Sequence, residues 1–563
     1  MARDYPLDPV TITPSRASIP LVEGCSDGAY GSFAVWQEGS PTGLVRVQHV
    51  LPTGDLDPAW PAAGAIACNI AAARTELGVV PDRLGGVYLM WKEGNSLYVS
   101  RLDPGGAVAA GWPARGRFLG GVFTQSPRPM VIEDGENGIY AAFRSSTSTA
   151  LAIHLGPANS GAGGWPNSTR AVSVADIAYN TIYWPQVALA PDGGLFVAYA
   201  VSSNDEEAAP SAWRMRRLTS AGISAAGWPV EGMSFGSFQR DLLGSPANAS
   251  LIALSPDGRG GVFLSIGNPV GSDPNGALLE SRLYRLEGSG AVAAGWPVEG
   301  KLVSQGPYNY SPEFGPTPDY SYRVFPDAPG GGAVAGYPQF GLHNGSNVSF
   351  ARCDDSGDFD QGFVAGASAV GNEVASSGHD GHFVASFYPR GPMGPYEPYA
   401  FLAVSHTSNK SNQWSEVQFG CCNTWYGDIG LAATEDGGAV FFWSQMLDRV
   451  GLFARRFNAS GQVTAVEPGN GAAEPGLSRL RFVPGVGVRA AIELAGTGPT
   501  RFELYDVAGR RIASQPVELW AMRAFAPPDD VTLSGTADLR SGLYFGRLVQ
   551  GTRSIAAKVM VAR

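Results

Sequence analysis

Four carboxylates crowd into seven residues at Asp354-Asp355-Ser356-Gly357-Asp358-Phe359-Asp360. Oxygen ligands at that density suit Ca2+, with Asp354, Asp358 and Asp360 as the candidate metal ligands. The segment lacks the downstream bidentate Glu of an EF-hand loop. It also follows Arg352-Cys353 as Asp103-Pro104-Gly105-Gly106 follows Arg101-Leu102. An elaborated turn is therefore the first reading and a structural Ca2+ the second; no other cofactor is implied. His379-Asp380-Gly381-His382 offers two imidazoles, but it too falls on an Asp-Gly turn, and His49, His154, His343 and His406 stand alone. No Gly-x-Ser-x-Gly elbow, His-Glu-x-x-His helix or Walker loop is present. The Ser-x-Asp-x-Gly-x-x-Trp order of an Asp box fails throughout. Paired carboxylates for glycoside cleavage meet in space rather than in sequence, which keeps a glycan hydrolase or lyase open. Glu206-Glu207, in Ser202-Ser203-Asn204-Asp205-Glu206-Glu207, reads as a solvated loop.

These residues sit on a module that recurs along the chain. Ala-Ala-Gly-Trp-Pro stands at 109–113, 225–229 and 293–297, with looser copies at Trp60-Pro61 and Trp165-Pro166. Each unit opens on an Asp/Gly turn followed by an apolar strand, as in Pro81-Asp82-Arg83-Leu84-Gly85-Gly86 before Val87-Tyr88-Leu89-Met90-Trp91. A second strand carries an Arg-Leu pair or its relic (Arg101-Leu102, Arg217-Leu218, Arg285-Leu286, Arg456-Phe457), and a Gly turn and the Trp-Pro element close most units. Eight such openings occur, about 58 residues apart, which is room for four short strands with their turns. No useful run shows apolar residues at i, i+3, i+4 and i+7, so a helical repeat is excluded. The expected fold is all-β: a β-propeller of eight blades, or seven if one copy is degenerate or closes the ring. Val10-Thr11-Ile12 are placed to complete the last blade. The repeated Trp reads as packing between blades, because every blade needs the same joint.

Composition narrows the partners. The chain has 563 residues, 75 Gly, 42 Pro, 16% charged residues and a net charge of −11. Without a Lys/Arg cluster, nucleic acid and anionic membrane surfaces are excluded as partners. No stretch of about 20 apolar residues is available to span a bilayer. Five cysteines leave a Cys25–Cys68 bridge open, and a second between Cys353 and Cys421 or Cys422. The insertions of the fourth to seventh units are the most individual and include Tyr308, Tyr310, Tyr320, Tyr322, Tyr396 and Tyr399, which are the candidate ligand-binding residues.

Beyond a Gly/Ala/Pro/Glu-rich linker at 467–476, the pattern changes. Residues 477–563 read as a small Ig-like β-sandwich following a propeller of residues 1–466. Leu504-Tyr505-Asp506-Val507-Ala508-Gly509-Arg510-Arg511, Ser541-Gly542-Leu543-Tyr544-Phe545 and Lys558-Val559-Met560-Val561 carry a resemblance. They are similar to the C-terminal sorting domain of bacterial type IX secretion substrates and to the Ig-like domain of flagellar hook capping proteins. That resemblance implies export across an outer membrane, with the secretion machinery as a partner. It makes Tyr505, Asp506, Gly509, Arg510, Gly542, Tyr544 and Lys558 the sorting-motif residues. The repeat units likewise resemble those of secreted bacterial propellers. Met1-Ala2-Arg3-Asp4-Tyr5-Pro6 lacks the apolar run of a signal peptide, so a trimmed mature end is expected.

The expectation is thus a secreted or cell-surface, non-catalytic binding or adhesion scaffold for glycan or protein ligands. A propeller-type glycan hydrolase or lyase and a structural subunit of a surface assembly are the alternatives, and fold analogy separates none of the three.

Overall fold

A computed structural model describes residues 10–13, 19, 21–52, 54–123, 129–161, 165, 172–176, 180–203, 211–238, 252–273, 276–308, 323–327, 331–339, 347–360, 365–368, 370–376, 381–389, 400–408, 414–419, 426–434, 438–445, 451–457, 476–483, 486–493, 500–506, 510–516, 530–540, 542–550 and 553–561. Every regular element among them is a strand. None is a helix long and apolar enough to cross a membrane. The chain divides into two compact units, Met1–Ala465 and Val466–Arg563.

Among the described residues of the first unit, strand pairing makes eight four-stranded antiparallel sheets, seven of them simple meanders. Seven follow one another as residues 22–72, 74–121, 130–176, 180–238, 252–308, 323–368 and 370–419. The eighth combines Tyr426–Ala433, Ala439–Gln445 and Gly451–Phe457 with Val10–Thr13, which pairs antiparallel to Gly451–Phe457. The N-terminal strand therefore completes the last sheet, as its β-branched residues suggested.

Packing explains the apolar runs. A second strand such as Val87–Glu93 is buried at every position but its last, because neighbouring sheets cover both of its faces. Third strands alternate instead: in Gly43–Val50 the buried positions are interleaved with half-buried ones. Apolar cores join successive sheets. Val35 and Val47 of the first sheet pack with Leu89 and Trp91 of the second, and Met90 and Val99 of the second with Ala141 and Phe143 of the third. Tyr140 and Ala152 of the third pack with Val197 and Leu218 of the fourth, and one cluster runs through the fourth, fifth and sixth. Ile12, Val440 and Phe442 of the eighth sheet share a core with Val22, Ala34 and Trp36 of the first.

The disulfide left open between Cys25 and Cys68 does not form; both are free thiols. Cys25 lies on the first strand of its sheet and Cys68 on the fourth. Three strand spacings hold them about 14 Å apart, twice the reach of a disulfide. Cys68 Sγ instead accepts a hydrogen bond from the buried Arg74 Nη2 at 3.2 Å. Cys421 and Cys422 lie outside the described residues.

The second unit holds a three-stranded sheet, Gly476–Val483, Gly487–Glu493 and Asp530–Leu533, and a four-stranded one ordered Arg511–Pro516, Thr500–Asp506, Gly542–Gln550, Arg553–Val561. Val488, Phe502, Leu504, Leu533, Leu548 and Val559 form its core. Residues 467–475 of the expected linker lie outside the described residues.

Ile12 is 1% exposed in the strand that closes the eighth sheet. Ile12→Ala should cost about 2–5 kcal/mol, read as a lowered urea midpoint with an unchanged m-value. An unaltered midpoint would show that the N-terminal strand adds nothing to the first unit's stability.

Candidate functional site

The Asp, Arg and Trp residues picked out by the repeat converge on one cluster, built five times in the first five sheets. Asp27, Asp82, Asp134 and Asp257 open the first turn of their sheets, and each uses Oδ1 to accept the backbone N–H groups two and four residues on. The distances are 2.7 and 2.9 Å at Asp27, 2.7 and 2.7 Å at Asp82, 2.8 and 2.9 Å at Asp134, and 2.8 and 2.8 Å at Asp257. Asp192 makes one such bond, to Gly194 at 3.2 Å. The residue four positions on must be Gly, since a Cβ at Gly86 would lie 2.2 Å from the Leu102 carbonyl oxygen.

Oδ2 of each Asp faces the third strand and meets a basic side chain there. Arg101 approaches Asp82 at 2.6 Å, Arg217 approaches Asp192 at 3.0 Å and Arg285 approaches Asp257 at 3.0 Å. In the first and third sheets the same place is taken by His49, 3.1 Å from Asp27, and His154, 2.9 Å from Asp134. Each of these side chains lies over a second-strand ring. The guanidinium carbons of Arg101, Arg217 and Arg285 stand 5.8, 5.6 and 5.6 Å from the centroids of Tyr88, Phe196 and Phe263. His49 stacks on Phe33 at 4.6 Å and His154 on Tyr140 at 4.0 Å. The Trp of the Trp-Pro element meets that ring in turn, 5.6 Å for Phe33–Trp60 and 5.7 Å for Tyr88–Trp112. Its indole N–H leaves the sheet: Trp60, Trp112, Trp228 and Trp296 donate to the carbonyls of Pro104, Pro157, Gly288 and Asp355, all in the following sheet.

In the second sheet the donors saturate the carboxylate. Asp82 is fully buried and both its oxygens are engaged, so it has no lone pair for a substrate proton. His49 differs in having carboxylates on both sides, with Asp57 at 2.8 Å from Nδ1 and Asp27 at 3.1 Å from Nε2. Burial opposes protonation of this ring, but the hydrogen bonds and charges of Asp27 and Asp57 outweigh it and raise the pKa. Burial likewise opposes ionisation of Asp27, yet His49 and the Ala29 and Gly31 amides hold its pKa low; Asp57 is lowered by the Ala59 amide and His49 against its own desolvation.

The acidic segment at Asp354 is a turn of the same kind. Asp354 Oδ1 accepts the amides of Ser356 and Asp358 at 2.9 and 3.0 Å, Asp358 pairs with Lys301 at 3.1 Å, and Asp355 receives Arg259 at 2.7 Å and also Arg285. The Asp360 amide donates to the Arg352 carbonyl at 2.9 Å. The described bonds engage the Asp354 side chain in its own turn and tie Asp355 and Asp358 to neighbouring cations. Among the described residues no group of three or more His, Cys, Asp or Glu is arranged to hold a metal.

Of the tyrosine candidates, Tyr308 ends the strand Lys301–Tyr308 opposite Ala277. Tyr310, Tyr320, Tyr322, Tyr396 and Tyr399 lie outside the described residues. In the second unit, Asp506 and Arg510 close a turn through Asp506 N–H to Arg510 O at 3.0 Å and Arg510 N–H to Asp506 Oδ1 at 2.9 Å. The Arg510 side chain adds a 2.8 Å pair to Asp506 Oδ2. Tyr505 donates to Glu503 at 2.7 Å, Tyr544 stands opposite Asp506, Lys558 opposite Phe545 and Gly542 opposite Val561. Gly509 lies outside the described residues. What the sequence did not disclose was that His49 and His154 occupy the arginine position; the visible signal was their place in the strand before each Gly turn.

No family model and no curated protein matches this chain. Among solved structures, the polysaccharide lyase Uly1 aligns over 67% of this chain and 88% of its own, at 9% identity and a TM-score of 0.39. A protein of unknown function from Dyadobacter fermentans DSM 18053 aligns over 58% and 93%, at 11% identity and 0.32. The SapL1 lectin in complex with alpha methyl fucoside aligns over 59% and 92%, at 12% identity and 0.30. With overlaps this partial, the site is read from its own geometry.

Because the folded-state pKa of His49 lies above its reference of 6.5, the stability it lends is complete below that reference and is lost as pH rises through the folded value. Asp27 and Asp57 act oppositely: their contribution is present above 3.8 and is lost as pH falls through their lowered values. Urea midpoints measured from about pH 6 to about pH 9 should therefore fall more steeply for the wild type than for His49→Arg, whose charge persists. Parallel curves would show that His49 does not titrate differently in the folded chain.

Proposed function

We propose that the eight sheets are blades of a β-propeller and that this propeller is a non-catalytic binding or adhesion scaffold outside the cell. The observation that carries the reading is the use made of the repeat's reactive side chains. Asp, Arg, His and Trp recur because the first five units share a turn and a stack, and most of them a tie to the next unit. The packing of the eighth sheet back onto the first through Ile12, Phe442 and Trp36 supports ring closure. Specificity is then left to what does not repeat, the tyrosine-bearing insertions between strands of the later units, with a glycan or a surface protein as ligand. Residues 477–563 are assigned as an Ig-like sorting domain recognised by the secretion machinery. Support comes from the Tyr505–Arg510, Gly542–Tyr544 and Lys558 motifs and from two small sheets around one core.

Saturable binding of the full chain to one sugar class on a glycan array is expected. It should weaken about tenfold or more when Tyr308, Tyr310, Tyr320 and Tyr322 are changed together to Ala, and it should be indifferent to EDTA. A blank array together with no ligand captured from intact cell surfaces would overturn the scaffold reading. In a bacterium with a type IX secretion system, removing residues 477–563 should trap the protein inside the outer membrane. Equal surface display of the shortened chain would remove the sorting assignment and leave the scaffold reading standing.

A further inference from the structure

The ties between consecutive sheets are not equal. At the second-to-third junction, Arg101 Nη1 and Trp112 Nε1 both donate to the Pro157 carbonyl, at 3.3 and 2.9 Å. At the fourth-to-fifth, Arg217 Nη1 and Trp228 Nε1 share the Gly288 carbonyl at 2.8 and 3.1 Å. At the fifth-to-sixth, Arg285 Nη1 and Trp296 Nε1 share that of Asp355 at 3.3 and 3.0 Å. The eighth sheet reaches the first through Arg456 on the Pro52 carbonyl. The first-to-second junction has His49 in the arginine place but keeps the indole bond, Trp60 to Pro104 at 2.9 Å.

The third-to-fourth junction has neither tie. His154 stands where the arginine would be, and its ring is engaged at Nε2 by Asp134. Trp165 sits against the corresponding turn of the fourth sheet, where a Cβ on Gly222 would meet its ring at 3.0 Å. Yet its indole nitrogen has no hydrogen-bond partner among the described residues, and neither do His154 Nδ1 and Thr219 Oγ1, the last in that same turn. Trp165 and His154 are 4% and 5% exposed, so bulk water does not satisfy them either. Two bonds do cross this junction: Tyr140 donates to the Gly193 carbonyl at 2.5 Å, and the Ile182 amide to the Thr147 carbonyl at 2.8 Å. Both engage the first strand or first turn of the fourth sheet, not the turn at 219–222.

We propose that the third-to-fourth junction is a built-in seam, opening before the other junctions described between the first six sheets, pivoting on the Tyr140 and Ile182 ties while the Trp165 face parts from the 219–222 turn. Opening there breaks no hydrogen bond between Trp165 and the turn, and it lets water reach three buried polar atoms. At the three doubly tied junctions the same motion would break two donor bonds to one carbonyl. The inference concerns two neighbouring sheets and holds whether or not the eight close into a ring.

Hydrogen exchange followed by mass spectrometry on the full chain tests it. Amides of residues 211–224 should exchange several-fold faster than those of residues 149–161 and 276–292, whose turns receive both ties. Trp165→Phe loses packing but no hydrogen bond, so it should lower the melting temperature less than Trp112→Phe or Trp228→Phe, each of which loses both. His154→Arg, which supplies the missing donor, should slow exchange at 211–224 alone. Uniform exchange across the three segments, or a Trp165→Phe loss equal to that of Trp112→Phe, would overturn the proposal. The Trp→Phe comparison decides it even if His154→Arg does not fold.

Discussion

A carboxylate at the first turn of each of the first five sheets governs what is stacked upon it. Taking Asp82 out of water is favourable only because four donors meet its two oxygens: two backbone amides, and two N–H groups of one guanidinium. The amides fix the turn. The guanidinium is then drawn flat over the Tyr88 ring, and that ring supplies the wall against which Trp112 packs. Remove the carboxylate, and a buried cation loses its counter-charge while a turn loses its cap, so the unit fails at two levels together.

Much of this architecture was legible because it repeats. The Asp turn, the Arg-Leu strand and Trp-Pro could each be read as one word, and four strands per word followed from the spacing. The terminal strand at Val10–Thr13 was legible from its β-branched residues and from a last unit one strand short. What stayed hidden lies between words. The Trp112 acceptor is Pro157, 45 positions away in the next sheet, and no local pattern links an indole to a backbone carbonyl. His49 and His154 looked solitary because their role is set by the ring below and the carboxylate beside them. The proposed Cys25–Cys68 bridge failed for a related reason: nearness in sequence at the two ends of one meander becomes the full width of a sheet.

The second unit uses the same device in miniature. Asp506 N–H donates to the Arg510 carbonyl and Arg510 N–H donates back to Asp506 Oδ1, as between Asp27 and Gly31, where the Asp27 N–H to Gly31 O bond is 3.2 Å. Here the cation comes from within the turn, so the pair is exposed on the arginine side and rigid on the aspartate side.

The shared sheet of Val10–Thr13 and Gly451–Phe457 has a bearing on chain order. The two ends of the first unit are hydrogen-bonded neighbours, so nothing in its strand pairing marks one sheet as the beginning. Joining those ends and cutting the chain at a connection between any two other sheets would preserve every strand pair, which makes the unit a natural substrate for circular permutation.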